Sequence, residues 1–363
     1  MNKYSSSVYI PFIILILMSL ISCSDEFEYS EKKWKSEYPK SSKCGVEYLG
    51  LTFFDDAGIS IYSSALDKTN FLCYINSLDI PLILSKESEQ FNLKSLNFSS
   101  IDVKDSTIVG GFHNSLFCPY DNNIVIGFVV MSNISGQDKF GENIYHFSQV
   151  LCKYNIKTQK FVIVPLNLSN DEYEMISENG LVHWVKQSTP NNDYILTKNH
   201  KRLHLQSGKL LEGYSNKTND IFAMLVAVSP DESKYVSLNP NNKNGDFYVN
   251  DRKHSNKVLF NIFRNNSFQK VNWSDDAKSF STKYDYLDDT NYNFYSVSDG
   301  NSINLTSTID ILSLHCSLYA NGTPFFYSDS SYIVTLYPNL SRRGELYEVN
   351  KKGEIIRQIT KFF

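Results

Sequence analysis

Cys23 is the residue whose neighbours most narrow its chemistry. It follows the apolar run Ile10–Ile21 and the small Ser22, at a point where an export signal is cut, so its thiol would stand at the new N-terminus. Other candidate groups are less well framed. His200 and His204 have the i, i+4 spacing that turns two imidazoles to one side of a helix as metal ligands. They lie in Asn199-His-Lys-Arg-Leu-His, which reads as strand and turn, and there the spacing separates them. Asp285, Asp288 and Asp289 cluster in one loop, and Asn239 to Asp246 form another. Both offer the oxygen ligands that calcium takes, but neither has EF-hand spacing, and polar loops between strands account for both. The chain has no G-x-S-x-G elbow, H-E-x-x-H helix, phosphate-binding Gly-rich loop or C-x-x-C pair. These residues lead us to expect no catalytic residue, no metal site and no cofactor.

The N-terminus opens Met1-Asn2-Lys3, continues through the apolar run and reaches Leu20-Ile21-Ser22-Cys23. A basic start, a short apolar stretch and a small residue before the cut describe a secretory signal peptide. Leu at −3 and Ser at −1 resemble the lipobox of bacterial lipoproteins, in which the cysteine is diacylated and becomes residue one of the mature protein. The resemblance implies a signal peptide at 1–22, a lipidated N-terminus and tether at 23–43, and a folded body at 44–363. The tether, from Ser24-Asp25-Glu26 to Lys32-Lys33, is polar and without hydrophobic periodicity. Several acyl chains make such anchoring effectively permanent. Two alternatives are soluble secretion after a plain cut and an uncleaved anchor. The latter has Pro11 in a run shorter than the roughly 20 residues a spanning helix needs. Ser24 stands where many inner-membrane lipoproteins carry aspartate, so in a cell with two membranes the expectation is an outer-membrane site facing the periplasm.

Composition narrows the body. Of 363 residues, 24 are Tyr and 24 Phe, against 16 Gly and 10 Pro, with abundant Asn and Ser and little Ala. Such a mixture favours short strands joined by polar turns over helices. The formal net charge is −4 with both signs interspersed, so no nucleic-acid footprint is present. Cys44, Cys73, Cys118, Cys152 and Cys316 are odd in number and match no disulfide framework or zinc site; buried free thiols are expected for those in apolar segments.

Repeats decide the fold. Leu225–Val228 leads into Ser229-Pro230-Asp231-Glu232-Ser233-Lys234 and a second alternating strand. Val271-Asn-Trp273 leads likewise into Ser274-Asp275-Asp276-Ala277-Lys278 and Ser279–Thr282. Ser and Asp side chains bond to backbone amides just ahead and fix a tight reversal, so each copy is an antiparallel hairpin. Closing hairpins repeat as well. Asn293–Gly300 runs into Ile303-Asn304-Leu305-Thr306, and Glu345–Gly353 into Ile355–Thr360, with Gly300 and Gly353 in turns that need a positive φ. Weaker copies lie upstream at Phe117–Phe128, with Pro119 and Asp121 in the turn, at Val150–Ile163, and at Leu181–Leu211. Cys44 to Val109 holds strand-like runs without a turn signature. The repeat of about 45 residues suits one propeller blade, and dividing the length gives six or seven blades, with seven the favoured count. Trp273 and Phe326 are expected as core residues wedged between blades.

Ser229-Pro230-Asp231-x-x-Lys234-aromatic-Val, followed by an aromatic strand, Gly300 and Leu305-Thr306, resembles the TolB-type β-propeller repeat, most clearly over 225–360. The resemblance implies four-stranded blades around a central channel and protein–protein contacts at loops or channel mouth. Glu232 and Ala277 stand where that repeat carries Gly, which puts the turn geometry in question. The reading is therefore an all-β, non-enzymatic, monomeric binding propeller, held by Cys23 to a bacterial membrane and engaging another envelope protein. The alternative is a propeller-built polysaccharide lyase or hydrolase, which would gather His183, His200, His254 or the Asp285–Asp289 loop at the channel mouth with shifted pKa values.

Overall fold

The structure, a computed structural model, describes residues 45–46, 57–75, 80–88, 90–96, 106–177, 180–185, 193–212, 224–238, 247–251, 257–262, 268–286, 289–298, 300–304, 324–336 and 343–362. Cys23 and its tether, Cys44, the Asn239 to Asp246 loop, His254, Asp288, Thr306 and Cys316 lie outside the described residues.

After a short strand β1 (Gly45–Val46), the described strands fall into six groups of four. The first blade is β2 (Ala57–Ser64), β3 (Asn70–Ile75), β4 (Ile80–Glu87) and β5 (Gln90–Ser95). The second is β6 (Ser106–Phe117), β7 (Ile124–Gln137), β8 (Asn143–Asn155) and β9 (Lys160–Ile163). Helix α1 (Asn170–Ser177) precedes the third, β10 (Leu181–Val185), β11 (Tyr194–Thr197), β12 (Arg202–His204) and β13 (Lys209–Leu211). The fourth is β14 (Met224–Val228), β15 (Lys234–Leu238), β16 (Phe247–Asp251) and β17 (Lys257–Ile262). The fifth is β18 (Phe268–Trp273), β19 (Ser279–Tyr286), β20 (Asp289–Ser296) and β21 (Ser302–Asn304). The sixth is β22 (Phe325–Ser328), β23 (Ser331–Leu336), β24 (Arg343–Asn350) and β25 (Ile355–Gln358), after which β26 (Lys361–Phe362) pairs in parallel with β1.

Within each blade every strand pairs antiparallel with the next, and the first strands of successive blades pack on one another in cyclic order. The ring closes where β2 runs parallel to β24, Ala57 opposite Arg343 and Gly58 opposite Gly344. This is a six-bladed β-propeller. Six replaces the favoured count of seven because repeat length is not constant. The second blade alone carries strands of 14 and 13 residues in β7 and β8, which absorb the chain that a uniform repeat would assign to another blade.

Each seam between blades carries its own apolar cluster. Phe71, Leu84 and Phe91 meet Phe325, Ile333 and Leu346 between the first and sixth blades. Phe112, Val125 and Tyr154 pack on Leu72 and Ile83 of the first blade. Trp273 and Phe280 pack on Phe247 and Val249, with Phe280 stacked on Tyr295. Trp273 lies in a seam cluster, as expected of a blade-wedge residue, and Phe326 is buried against Tyr332 of its own blade. Helix α1 starts on a reciprocal cap, in which the Ser169 amide donates to Glu172 Oε2 at 3.0 Å and the Glu172 amide to Ser169 Oγ at 3.3 Å. Its Ile176 fills the seam between the second and third blades. Cys73, Cys118 and Cys152 are buried, and burial pushes Cys152 up to about 12, so it stays protonated.

The turns between first and second strands share one hydrogen-bond plan. Asp231 Oδ1 accepts from Ser229 Oγ at 2.7 Å, Ser233 Oγ at 2.7 Å and the Ser233 amide at 3.0 Å. In the fifth blade the corresponding carboxylate is Asp276, which accepts from Ser274 Oγ at 2.7 Å and the Lys278 amide at 3.0 Å. Asp275 occupies the place of Pro230. In the first blade Asp67 accepts from the Thr69 amide at 3.0 Å. Burial works against the charged form of Asp231, but the Ser229 and Ser233 donors outweigh it and bring the carboxyl from 3.8 to about 2. The stabilisation is thus complete above pH 3.8 and lost as pH falls toward 2. Because Asp231 is exposed, solvent screening holds the Asp231→Ala loss near 1 kcal/mol at pH 7. Thermal melts should show this gap between wild type and variant closing between about pH 4 and pH 2; a gap constant with pH would contradict the assignment.

Candidate functional site

A cavity of about 620 Å³ occupies the propeller axis, and all six blades contribute to its wall. The described inner strands supply an apolar lining, including Ile61, Leu116, Val182, Val226 and Val271, interrupted by Asn114, His183 and Asn272. A bulge between Leu181 and His183 breaks strict alternation in β10, so Leu181 and Trp184 pack toward the second blade, Val182 and Val185 toward the fourth, and this one inner strand brings both the His183 imidazole and the Trp184 indole to the wall.

Charge enters at one mouth, on the turns between first and second strands. Lys68, Glu232 and Ala277 occupy equivalent positions in the first, fourth and fifth blades, with φ of 56°, 56° and 55°. The departures from Gly seen in the sequence therefore keep the left-handed turn, at a cost of about 1 kcal/mol per residue. Two of these strained positions carry charged side chains. Lys68 Nζ lies 3.1 Å from Asp275 Oδ1, reaching from the first blade past the sixth to the fifth. On the way it sits 5.3 Å from the centre of the Phe325 ring and donates to Ser64 Oγ at 3.1 Å. Glu232 Oε1 lies 3.6 Å from His183 Nε2, joining the fourth blade to the third. Two separate cross-blade pairs thus bridge the first to the fifth blade and the third to the fourth, while leaving Asp275 about half exposed.

The residues singled out from the sequence are dispersed through this frame. Pro119 and Pro230 line the channel. Asp121 accepts from the Asn123 amide and Asn123 Nδ2, both at 2.9 Å, to close its turn. Ser229 donates to Asp231, and Ser274 to Asp276, inside their turns. Gly300 and Gly353 have φ of 71° and 84° at the hairpins that close the fifth and sixth blades. Thr360 Oγ1 donates to buried Glu345 and accepts from the Leu346 amide, pinning the last segment to β24. His200 sits in the turn after β11 with its ring edge-on to Tyr235, whereas His204 Nδ1 is 2.9 Å from Ser207 Oγ, so the two imidazoles serve different partners. Asp285 and Asp289 belong to the β19–β20 hairpin. Among the described residues no three His, Cys, Asp or Glu side chains stand close enough to hold one metal ion. Of the histidines named as candidates, His183 is at the channel wall. Lys68 and Asn114 escaped the sequence reading. The first-blade turn Ala65-Leu66-Asp67-Lys68-Thr69-Asn70 repeats the Asp but lacks the Ser and Pro that mark its relatives.

No family model matches the chain, and no curated protein matches its sequence. Solved structures similar to it include an oligogalacturonate lyase from Vibrio parahaemolyticus, at 12% identity and TM-score 0.45, over 80% of this chain and 77% of that one. They also include a putative TolB from Agrobacterium tumefaciens, at 10% identity and TM-score 0.31, over 83% and 80%. TolB from Acinetobacter baumannii matches at 10% identity and TM-score 0.31, over 84% of this chain and 57% of that one. The six blades stand on the strand pairing of this chain, and likeness at these scores says nothing about what the channel binds.

Proposed function

We propose that this chain is an exported, lipid-anchored β-propeller that binds a protein partner of the bacterial envelope at its channel mouth. The observation that carries the reading is the placement of Lys68 and Glu232 on left-handed turn positions, where Gly would relieve strain. A fold that needed only to close its turns would gain from Gly there. The side chains instead supply charges from separate blades around an apolar channel, which suits recognition of a segment with both apolar and polar groups. Anchoring comes from the lipobox-like sequence at Cys23, and an outer-membrane, periplasm-facing position follows from Ser24 in a two-membrane cell. Among the described residues no helix is long and apolar enough to cross a membrane.

Two measurements test this. Mass spectrometry of the mature N-terminus should find diacylglycerol on Cys23; a mature protein starting at another residue refutes the anchor. Crosslinking in native membranes should capture a partner that Glu232→Gly captures at least about tenfold less, for the loss of one charged contact worth about 1.4 kcal/mol or more. The same substitution should raise folding stability by about 1 kcal/mol, because Gly accepts the φ of 56°. Ala277→Gly, at φ 55° but without a charge, should stabilise similarly and leave capture unchanged. Equal capture by wild type and Glu232→Gly would remove the channel mouth as the binding site.

A further inference from the structure

We propose that the β7–β8 ribbon is a membrane-contacting element that seats its aromatic tip in the lipid interface beside the acyl anchor. Pairing of β7 with β6 ends at Asn133, whose partner on β8 is His146, so Ile134–Gln137 and residues 143–145 project from the blade as two strands. In that projection Ile134 lies opposite Tyr145, and at its base Ser132 lies opposite Phe147, which puts Ile134, Tyr145 and Phe147 on one face. They are 58%, 53% and 62% exposed, and Phe140 at the apex is 78% exposed. The apex is held, not loose. Asp138 Oδ1 accepts from the Phe140 amide at 2.8 Å and the Glu142 amide at 2.9 Å, the Asp138 amide donates to Glu142 O at 2.8 Å, and Gly141 turns at φ 83°. Lys139 Nζ stands 5.0 Å from the Phe140 ring centre. A monomer rarely keeps such a cluster in water without something to cover it.

The covering surface follows from topology. Strands alternate in direction, so the turns bearing Lys68, Glu232 and Asp275 lie on one face of the propeller. Turns between second and third strands, including the ribbon tip, lie on the other. The chain also enters on that second face. β1 pairs with β26, which follows the fourth strand of the last blade, and Ala57 begins β2 beside Arg343 at the start of β24. The segment from Ser24 to Cys44 can reach at most about 75 Å when extended, and the ribbon extends about 15 Å beyond Asn133. The tether leaves from the ribbon's face and is long enough for the tip to meet the bilayer; the apolar tip, not the tether, sets the orientation, with the charged mouth turned away. Asp138 and Glu142 against Lys139 leave no basic patch on the projection, so attraction to the interface is apolar and does not require anionic lipid.

Nearness to the bilayer rests on the lipid-anchor reading, and the test separates the two. Full chain carrying Phe140→Trp, isolated as the cell makes it, is placed in phosphatidylcholine vesicles with or without brominated acyl chains, and its N-terminal mass is determined on the same sample. We expect blue-shifted emission and at least about a twofold quenching by bromine beyond that of the unsubstituted chain, since an interfacial indole lies within contact of the upper acyl carbons. Tyr145→Trp, inside the projection, should be quenched as well, giving a second position should the first disturb the tip. Quenching insensitive to salt supports apolar seating. Acylated Cys23 without quenching at either position overturns the ribbon proposal alone. Quenching with an unmodified N-terminus overturns the lipoprotein reading and leaves the ribbon proposal standing. A blue shift that needs no vesicles and coincides with dimers in light scattering identifies a second copy as the occupant and overturns it.

Discussion

Gly208→Ala is expected to destabilise the folded chain by about 3 kcal/mol, the sum of left-handed strain and overpacking. Gly208 sits in the β12–β13 hairpin at φ 65°, and its amide donates to His204 O at 2.9 Å. A Cβ there would stand 2.2 Å from Pro165 O, 2.9 Å from the Asn167 amide nitrogen and 2.9 Å from Leu166 Cα. All three are backbone atoms, so no side chain can swing away to make room. The same hairpin accepts a hydrogen bond from the Asn167 amide at Gly208 O, 2.9 Å long, which docks the third blade on the segment leaving the second. Displacing it would break that bond and open the seam that holds Val164 and Leu205. Gly141→Ala is the control, because it also has positive φ but nothing lies within 4 Å of the added carbon. It should cost only the strain, about 1 kcal/mol. Urea unfolding read together with amide exchange over residues 202–211 checks both. Equal losses for the two variants would show that the approach to residues 165–167 is not tight.

Blades were legible where their turns paired Ser with Asp, since those side chains make the bonds that close the turn. The fourth and fifth blades announce themselves for that reason. In the first blade the Ala65 amide donates to Asn70 O and the Lys68 amide to Ala65 O, which is the same backbone plan. There Ala65 replaces Ser and Lys68 bears the positive φ, so the pattern loses every conspicuous letter but Asp67. Helix α1 hides for a different reason. Its Ser169-Asn-Asp-Glu172 capping box was readable, but a composition rich in aromatic and Asn residues argues against helix over any long window. Of the channel only His183 could be named, because Lys68, His183, Glu232 and Asp275 belong to four blades and come to one axis only when the ring closes. What sequence could supply was the departure from Gly at Glu232, and that departure proved to mark the mouth.

Arg357→Ala should lower stability by about 3–5 kcal/mol, the usual cost of stranding one partner of a buried ion pair. Arg357 Nε donates to Glu348 Oε2 at 2.7 Å, and the two side chains are 17% and 9% exposed. Ser331 Oγ donates to the other Glu348 oxygen at 2.7 Å, so the carboxylate is fixed and would be left buried without its cation. The guanidinium also stands 5.1 Å from the centre of Phe91 and 5.7 Å from that of Tyr327, bridging the first and sixth blades at the seam that closes the ring. Replacing both partners by uncharged groups of similar size, Glu348→Gln with Arg357→Met, should recover most of the loss, which a thermal or urea midpoint will register. Phe325 lies in this same seam cluster and under Lys68, so a loosened seam also releases the ammonium that reaches Asp275. Partner capture should therefore fall in Arg357→Ala well below its unfolding temperature and return in the double variant. Stability restored without capture would separate ring closure from the geometry of the mouth; both restored together would make closure the condition on which the mouth depends.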